Sequence, residues 1–164
     1  MRRIEVTDEH REAAESLSLK KTLNNSITRG GGNLAGALGE VIVCGYCSGE
    51  QANTYDYDLI IESYKVDVKT KVYSSRYTPN ENWNMNVSAF NTKQKCDMYC
   101  FVGVSEDYRE CYIYGFVHKA DFYERAVFGK KGEKDPNGNG WNFKSDCYNM
   151  LVKELGVPKI VKMS

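Results

Sequence analysis

The chain reads as an α/β protein with a mixed central sheet flanked by helices. Three observations carry that reading. Helical patterns at the start precede two strand pairs, the run Lys65–Val72 alternates charged and β-branched residues with a period of two, and no segment repeats. An order of helix, helix, strand pair, strand with short helix, strand pair, helix, helix sandwiches a sheet between helices. With 164 residues the chain is most simply one domain, long enough to bury a core without staples.

Thr7, followed by Asp8 and Glu9, predicts a helix start, and good helix formers continue it to Leu19 in a packing or dimerisation role. Arg29-Gly30-Gly31-Gly32-Asn33 is a flexible break that lacks the Lys-Ser/Thr ending of a phosphate-cradling loop. Asn33 then caps a second helix, Leu34 to Cys44, with Leu34, Leu38 and Val41 on one face and Glu40 at its border. Ser48 to Asn53 reads as a polar loop, and Asp58 to Val72 as a hairpin. The turn-rich stretch Ser74 to Asn82, with Pro79, is the expected mobile, substrate-facing loop.

Asn84 to Ala89 is a strand candidate and Phe90 to Cys96 a short helix. Met98–Val104 and Cys111–Val117 are strands joined by the polar stretch Ser105–Glu110. Lys119 to Phe128 reads as helix, Gly129 to Gly140 as an exposed loop, and Phe143 to Leu155 as a last helix ended by Gly156 and Pro158. The expected organisation is a single domain with an N-terminal helix at 7–19, a core at 33–117 and C-terminal helices at 119–155.

Hydrophobic residues make up 41% and charged residues 27%, the mixture of a globular chain rather than a disordered one. No apolar run reaches membrane-spanning length, and Met1-Arg2-Arg3-Ile4-Glu5 does not lead into a signal-peptide core, so no membrane is expected. The expected location is the cytosol. The six cysteines, several of them inside apolar runs, read as buried thiols rather than disulfides or a zinc site. Basic and acidic residues balance at 22 each, but Lys65 to Lys95 holds six basic residues against two acidic ones, with Tyr73, Tyr77, Trp83 and Phe90 among them. A basic, aromatic face around an acidic centre suits a polyanion.

That centre is the hairpin. Lys65, Asp67, Lys69 and Lys71 share one face, while Val66, Val68 and Val72 face the core. With Ser63-Tyr64 as a two-residue turn, Glu62 faces Lys65 and Asp58 falls opposite Lys69, diagonal to Asp67. Two carboxylates near one lysine supply hard oxygens for Mg²⁺ or Mn²⁺ and a cation for a phosphate. A surface cross-strand charge pair is the plainer reading of Asp67 and Lys69, and Asp58, a third charge at the same spot, argues against it. Asp56 is a rival aspartate assigned to solvent, and Asp97 is assigned a structural role. His10 and His118 lack sequence partners for histidine-dependent nuclease chemistry.

Glu40 on a helix, Asp58 opening a strand and the triplet Asp67-Val68-Lys69 together resemble the PD-(D/E)XK nuclease superfamily, over roughly Leu34 to Val117. Tyr57 stands where that pattern has proline. The resemblance implies a restriction-endonuclease-like fold and Mg²⁺-dependent hydrolysis of DNA, with Mn²⁺ substituting. Glu40, Asp58, Asp67 and Lys69 are then the catalytic set, with the ion on Asp58, Asp67, the Val68 carbonyl and Glu40. Lys71, Arg76, Lys93 and Lys95 are the expected nucleic-acid contacts. Gln94 does not complete the helix Gln-x-x-x-Tyr pattern of one nuclease branch, since Tyr99 lies at another spacing.

A small member of that kind is expected to be a structure-directed endonuclease, such as a Holliday junction resolvase, working as a homodimer on DNA. An exonuclease or a restriction endonuclease of the same fold is the enzymatic alternative. A catalytically inactive nucleic-acid-binding protein is the alternative of a different class.

Overall fold

The computed structural model of the chain describes residues 1–25, 32–52, 54–136 and 141–157. Thr7 opens the first helix through a reciprocal cap: its Oγ1 accepts His10 N–H at 3.2 Å, and His10 Nδ1 accepts Thr7 N–H at 3.1 Å. That helix, α1 (Asp8–Asn25), continues past Leu19 and buries Ala14 and Leu17. Helix α2 (Gly32–Tyr46) packs against it. Asn33 therefore lies within α2 rather than capping it, because the helix begins one residue earlier. Residues 29–31 of the glycine-rich break lie outside the described residues.

The strands are β1 (Arg2–Glu5), β2 (Glu50–Gln51), β3 (Leu59–Ile61), β4 (Tyr64–Tyr73), β5 (Asn84–Ser88), β6 (Met98–Ser105), β7 (Glu110–His118), β8 (Val127–Gly129) and β9 (Cys147–Leu151), with helix α3 (Lys119–Arg125) between β7 and β8. They form a six-stranded sheet in the order β1-β7-β6-β4-β3-β2 and a three-stranded sheet in the order β5-β9-β8. Within the larger sheet β4 and β6 run parallel and their neighbours antiparallel, so the α/β reading with a mixed sheet holds. One core fills the space between the two long helices and the large sheet, with Leu38, Ile42, Leu59, Val66, Val68 and Met98. On the opposite face Tyr99 and Phe101 pack with Phe122 of α3 and with Met85 and Met150 of the small sheet.

Several elements differ from expectation, each for a reason of pairing. The last predicted helix, 143–155, is strand β9 followed by a 3-10 turn, Val152–Glu154, because β9 bridges β5 and β8. Helix α3 stops at Arg125, since Val127–Gly129 pairs with β9 as β8. The predicted helix at 90–96 is a single 3-10 turn, Ala89–Lys93. Glu50–Gln51, expected as loop, pairs with β3. Arg2–Glu5 pairs with β7 and buries only Ile4, so its sequence carries no strand pattern. The stretch 74–82 is pinned rather than loose: Glu106 accepts bonds from Ser74 and Ser75 at 3.1 Å, and Pro79 is buried.

The hairpin turn is Glu62-Ser63, not Ser63-Tyr64. Both residues have positive φ, 47° and 70°, as a tight two-residue hairpin turn requires. Ile61 therefore pairs with Tyr64 and Leu59 with Val66. The ladder ends there: Asp58 N–H donates to the Val66 carbonyl and its carboxylate accepts Val68 N–H, which sets Asp58 near Asp67 rather than opposite Lys69. The slip within the paired residues is by two, so their side chains keep the predicted faces.

Gly39 decides how closely α2 approaches β4. A Cβ there would run into Thr70 Oγ1, a buried hydroxyl with no hydrogen-bond partner among the described residues, and would meet Val102 at ordinary contact distance. We expect Gly39→Ala to lose about 1–3 kcal/mol in urea denaturation through overpacking. Adding Thr70→Ala should recover part of that loss, and an unrelieved double variant would show that the helix approach is set elsewhere.

Candidate active site

Asp67 and Lys69 lie on the face of β4 that looks toward the small sheet, beside Tyr99 and Phe101 of β6, while Val66 and Val68 fill the helix-side core. Their ion pair is 2.6 Å long, between Lys69 Nζ and Asp67 Oδ2. Both side chains are largely buried, with exposures of 18% and 5%. The Lys69 ammonium also sits over the Tyr99 ring and donates to Gln94 Oε1 at 3.2 Å. An ion pair, one hydrogen-bond acceptor and an aromatic face thus hold it in place.

Asp58 sits just ahead of β3, where its Oδ2 accepts the Val68 backbone N–H at 2.8 Å. That bond ties it to the residue between Asp67 and Lys69. Its other oxygen, Oδ1, meets Lys21 Nζ at 3.2 Å, and the same ammonium is 2.5 Å from Glu40 Oε1. Lys21 was not anticipated from the sequence. It is one turn beyond Leu17 on the face of α1 that buries Ala14 and Leu17. Asp58 therefore joins two ion-paired groups, Lys21 with Glu40 on the α-helical side and Lys69 with Asp67 on β4.

Burial pushes the Glu40 carboxyl above the ordinary carboxylate range, and the Asp58 charge adds to the rise while Lys21 opposes it. Burial likewise raises Asp67, with Lys69 opposing and Asp58 contributing. Burial acts to lower Lys21, but Asp58 and Glu40 outweigh it and the ammonium is held above its usual value. Carboxyl groups this crowded behave as one titrating unit.

The expected nucleic-acid contacts divide by position. Lys93 and Lys95 are exposed on either side of Gln94, which anchors Lys69, so both flank the site. Gln94 Nε2 also reaches the Tyr55 carbonyl at 3.1 Å, and Lys119 Nζ donates to the Gln94 carbonyl. Gln94, considered from the sequence only beside Lys93 and Lys95 and against the helix Gln-x-x-x-Tyr pattern, thus has a different part here, that of holding Lys69. Lys71 turns instead toward β5, where its ammonium donates to the Asn84 carbonyl at 3.3 Å, and desolvation there lowers its pKa. Arg76 is exposed beyond Tyr73, at the other end of β4 from Asp67. Asp56 is not free in solvent: its Oδ1 accepts Lys95 N–H at 3.0 Å. Asp97 is structural, accepting Lys65 N–H at 2.8 Å. Of the aromatic residues in the basic stretch, Tyr73 and Trp83 pack edge to face, whereas Tyr77 and Phe90 are exposed.

No protein-family model matches the sequence, and no curated protein matches it. Among the described residues no three His, Cys, Asp or Glu side chains stand as a ready ligand group for a metal, and Lys21 lies between two of the three carboxylates. The donor chemistry still suits a hard divalent ion. Glu40 Oε2 is buried without a hydrogen-bond partner among the described residues, and Asp67 Oδ2 has the Lys69 charge but no aligned hydrogen bond. All six cysteines are free thiols; five are buried and Cys44 is half-buried. No helix among the described residues is long and apolar enough to cross a membrane.

The raised Glu40 carboxyl fixes the sign of a pH effect. The folded chain holds this proton more tightly than the unfolded chain, so stability falls as pH rises from 4.5, the ordinary value, toward the raised folded one. Between pH of about 5 and about 8, wild type should lose about 1 kcal/mol or more relative to Glu40→Gln in urea denaturation. Equal slopes for the two proteins would mean that Glu40 is ionised across the whole interval.

Proposed function

We propose that the chain is a Mg²⁺-dependent deoxyribonuclease of the PD-(D/E)XK kind, with a restriction-endonuclease-like core and a structure-directed endonuclease activity. The observation that carries this reading is the buried Asp67–Lys69 pair at 2.6 Å, with Asp58 fastened to the backbone of the residue between them. A solvated surface pair would contribute little and would need no third acid, whereas these groups are desolvated together.

Asp58, Asp67 and the Val68 carbonyl would hold the ion, with Glu40 beside them. When bound, Mg²⁺ or Mn²⁺ lowers the pKa of an attacking water and neutralises a phosphate oxygen. Lys69 orients that water and offsets the charge that grows on the phosphate oxygens as the bond to the leaving group breaks. The Gln94 and Asp67 contacts keep its ammonium placed for this without reorganisation. Lys93 and Lys95 meet the backbone phosphates on either side, a contact that positions the strand without reading sequence. A homodimer would set one such site on each strand of a branched duplex.

A second reading, a nucleic-acid-binding protein without catalysis, is favoured by one feature: the Lys21 ammonium already satisfies Glu40 and Asp58. Incubation with supercoiled, linear, branched and single-stranded DNA separates the two. Cleavage is expected with Mg²⁺ and not with EDTA, and Asp67→Asn should reduce its rate by about a thousandfold with unchanged circular dichroism. Binding without cutting would favour the second reading, and full activity in Asp67→Asn would remove the assigned site.

A further inference from the structure

We propose that Lys21 is a resident second cation of this site: its ammonium takes the Glu40 side, so that the chain accepts a single divalent ion, held on the Asp58 and Asp67 side. The inference rests on the metal-dependent reading above and narrows it. Glu40 becomes a partner of Lys21 rather than a ligand of the ion, which revises the expectation drawn from its place in the sequence.

Geometry supports the assignment first. Lys21 Nζ lies 2.5 Å from Glu40 Oε1 and 3.2 Å from Asp58 Oδ1, so one ammonium holds together two carboxylates that would otherwise repel. A bridging divalent ion would do the same work from the same place. The side chain of Glu40 is 7% exposed and that of Lys21 is 29% exposed, so bulk water does not screen the contact fully. Lys21 is also not a loose surface lysine, because Ala14 and Leu17 on the same helical face are buried.

Charge balance points the same way. With all three acids ionised, Glu40, Asp58 and Asp67 carry three negative charges against the two ammonium groups of Lys21 and Lys69, and with Glu40 protonated the charges balance. One divalent ion then leaves an excess of one or two. A second would leave an excess of three or four in a partly desolvated site, where like charges repel several times more strongly than in water. Removing Lys21 takes away a positive charge and frees oxygens of both Glu40 and Asp58.

Titration calorimetry of the full chain with Mn²⁺ alone tests this. Wild type and Lys21→Arg should each take one ion, and Lys21→Met should take two. Glu40→Gln should still take one ion, with its dissociation constant within about threefold of wild type. Two ions on wild type, one ion on a folded Lys21→Met, or a loss of about tenfold or more in Glu40→Gln would each overturn the assignment. Should circular dichroism show Lys21→Met unfolded, the wild-type stoichiometry and the Glu40→Gln affinity decide the matter. Failure of wild type to bind any Mn²⁺ would sink the metal-dependent reading along with this one. One ion on wild type with an affected Glu40→Gln would sink this one alone.

Discussion

Carboxylates cannot be buried together unless cations or N–H groups meet them, and that constraint organises the molecule around Asp58. Its two oxygens are shared between the Val68 backbone and the Lys21 ammonium. Through those contacts it connects α1, α2 and β4, which otherwise meet mainly through apolar side chains. Gly39 belongs to the same arrangement: without a Cβ, α2 lies close enough to β4 for Glu40 to share the ammonium. Buried ion pairs of this kind are weak contributors to net stability, because desolvation offsets their attraction, whereas losing one partner leaves a costly uncompensated charge. Retaining three acids and two lysines in one partly buried region is therefore better explained by what the region does than by what it stabilises.

Much of the central sheet was legible in the chain, for a physical reason. The alternation from Lys65 to Val72 has a period that only a strand can satisfy, and it places Asp67 and Lys69 together whatever the turn does. Thr7 announced the first helix, although His10 in place of an acid completes its cap. The turn itself was not legible. Glu62 and Ser63 adopt positive φ without the glycine or asparagine that normally marks such a hairpin. The C-terminal segment failed for another reason: the apolar residues of 147–155 also suit a helix, and only pairing with β5 and β8 selects the strand.

Lys21 escaped notice because nothing local marks it. A lysine near the end of a polar helix usually faces water. The signal present was weak: Ala14, Leu17 and Lys21 recur at helical spacing, so a helix extended beyond Leu19 carries Lys21 onto the buried face. The part Gln94 plays was not legible for a similar reason, since its contact with Lys69 crosses 25 residues of sequence. Together they give the site its asymmetry. Lys21 closes the helical side, while Lys69, Gln94, Lys93 and Lys95 border the other. Lys71, committed to Asn84, and Arg76, beyond the other end of β4, are set apart from that border. The exposed Phe90 lies in the same segment as Lys93, and Tyr55 is bonded through its carbonyl to Gln94. Aromatic surface therefore lies next to positive charge there.

The decisive property of this cluster is where it places a divalent ion. A crystal soaked in Mn²⁺ and measured for anomalous scattering gives the most direct answer. We expect one peak per chain, about 2.0–2.3 Å from carboxylate oxygens of both Asp58 and Asp67, with Lys21 still on Glu40. A peak away from these aspartates, or none at saturating Mn²⁺, would contradict the assignment of this cluster as a metal-dependent catalytic centre.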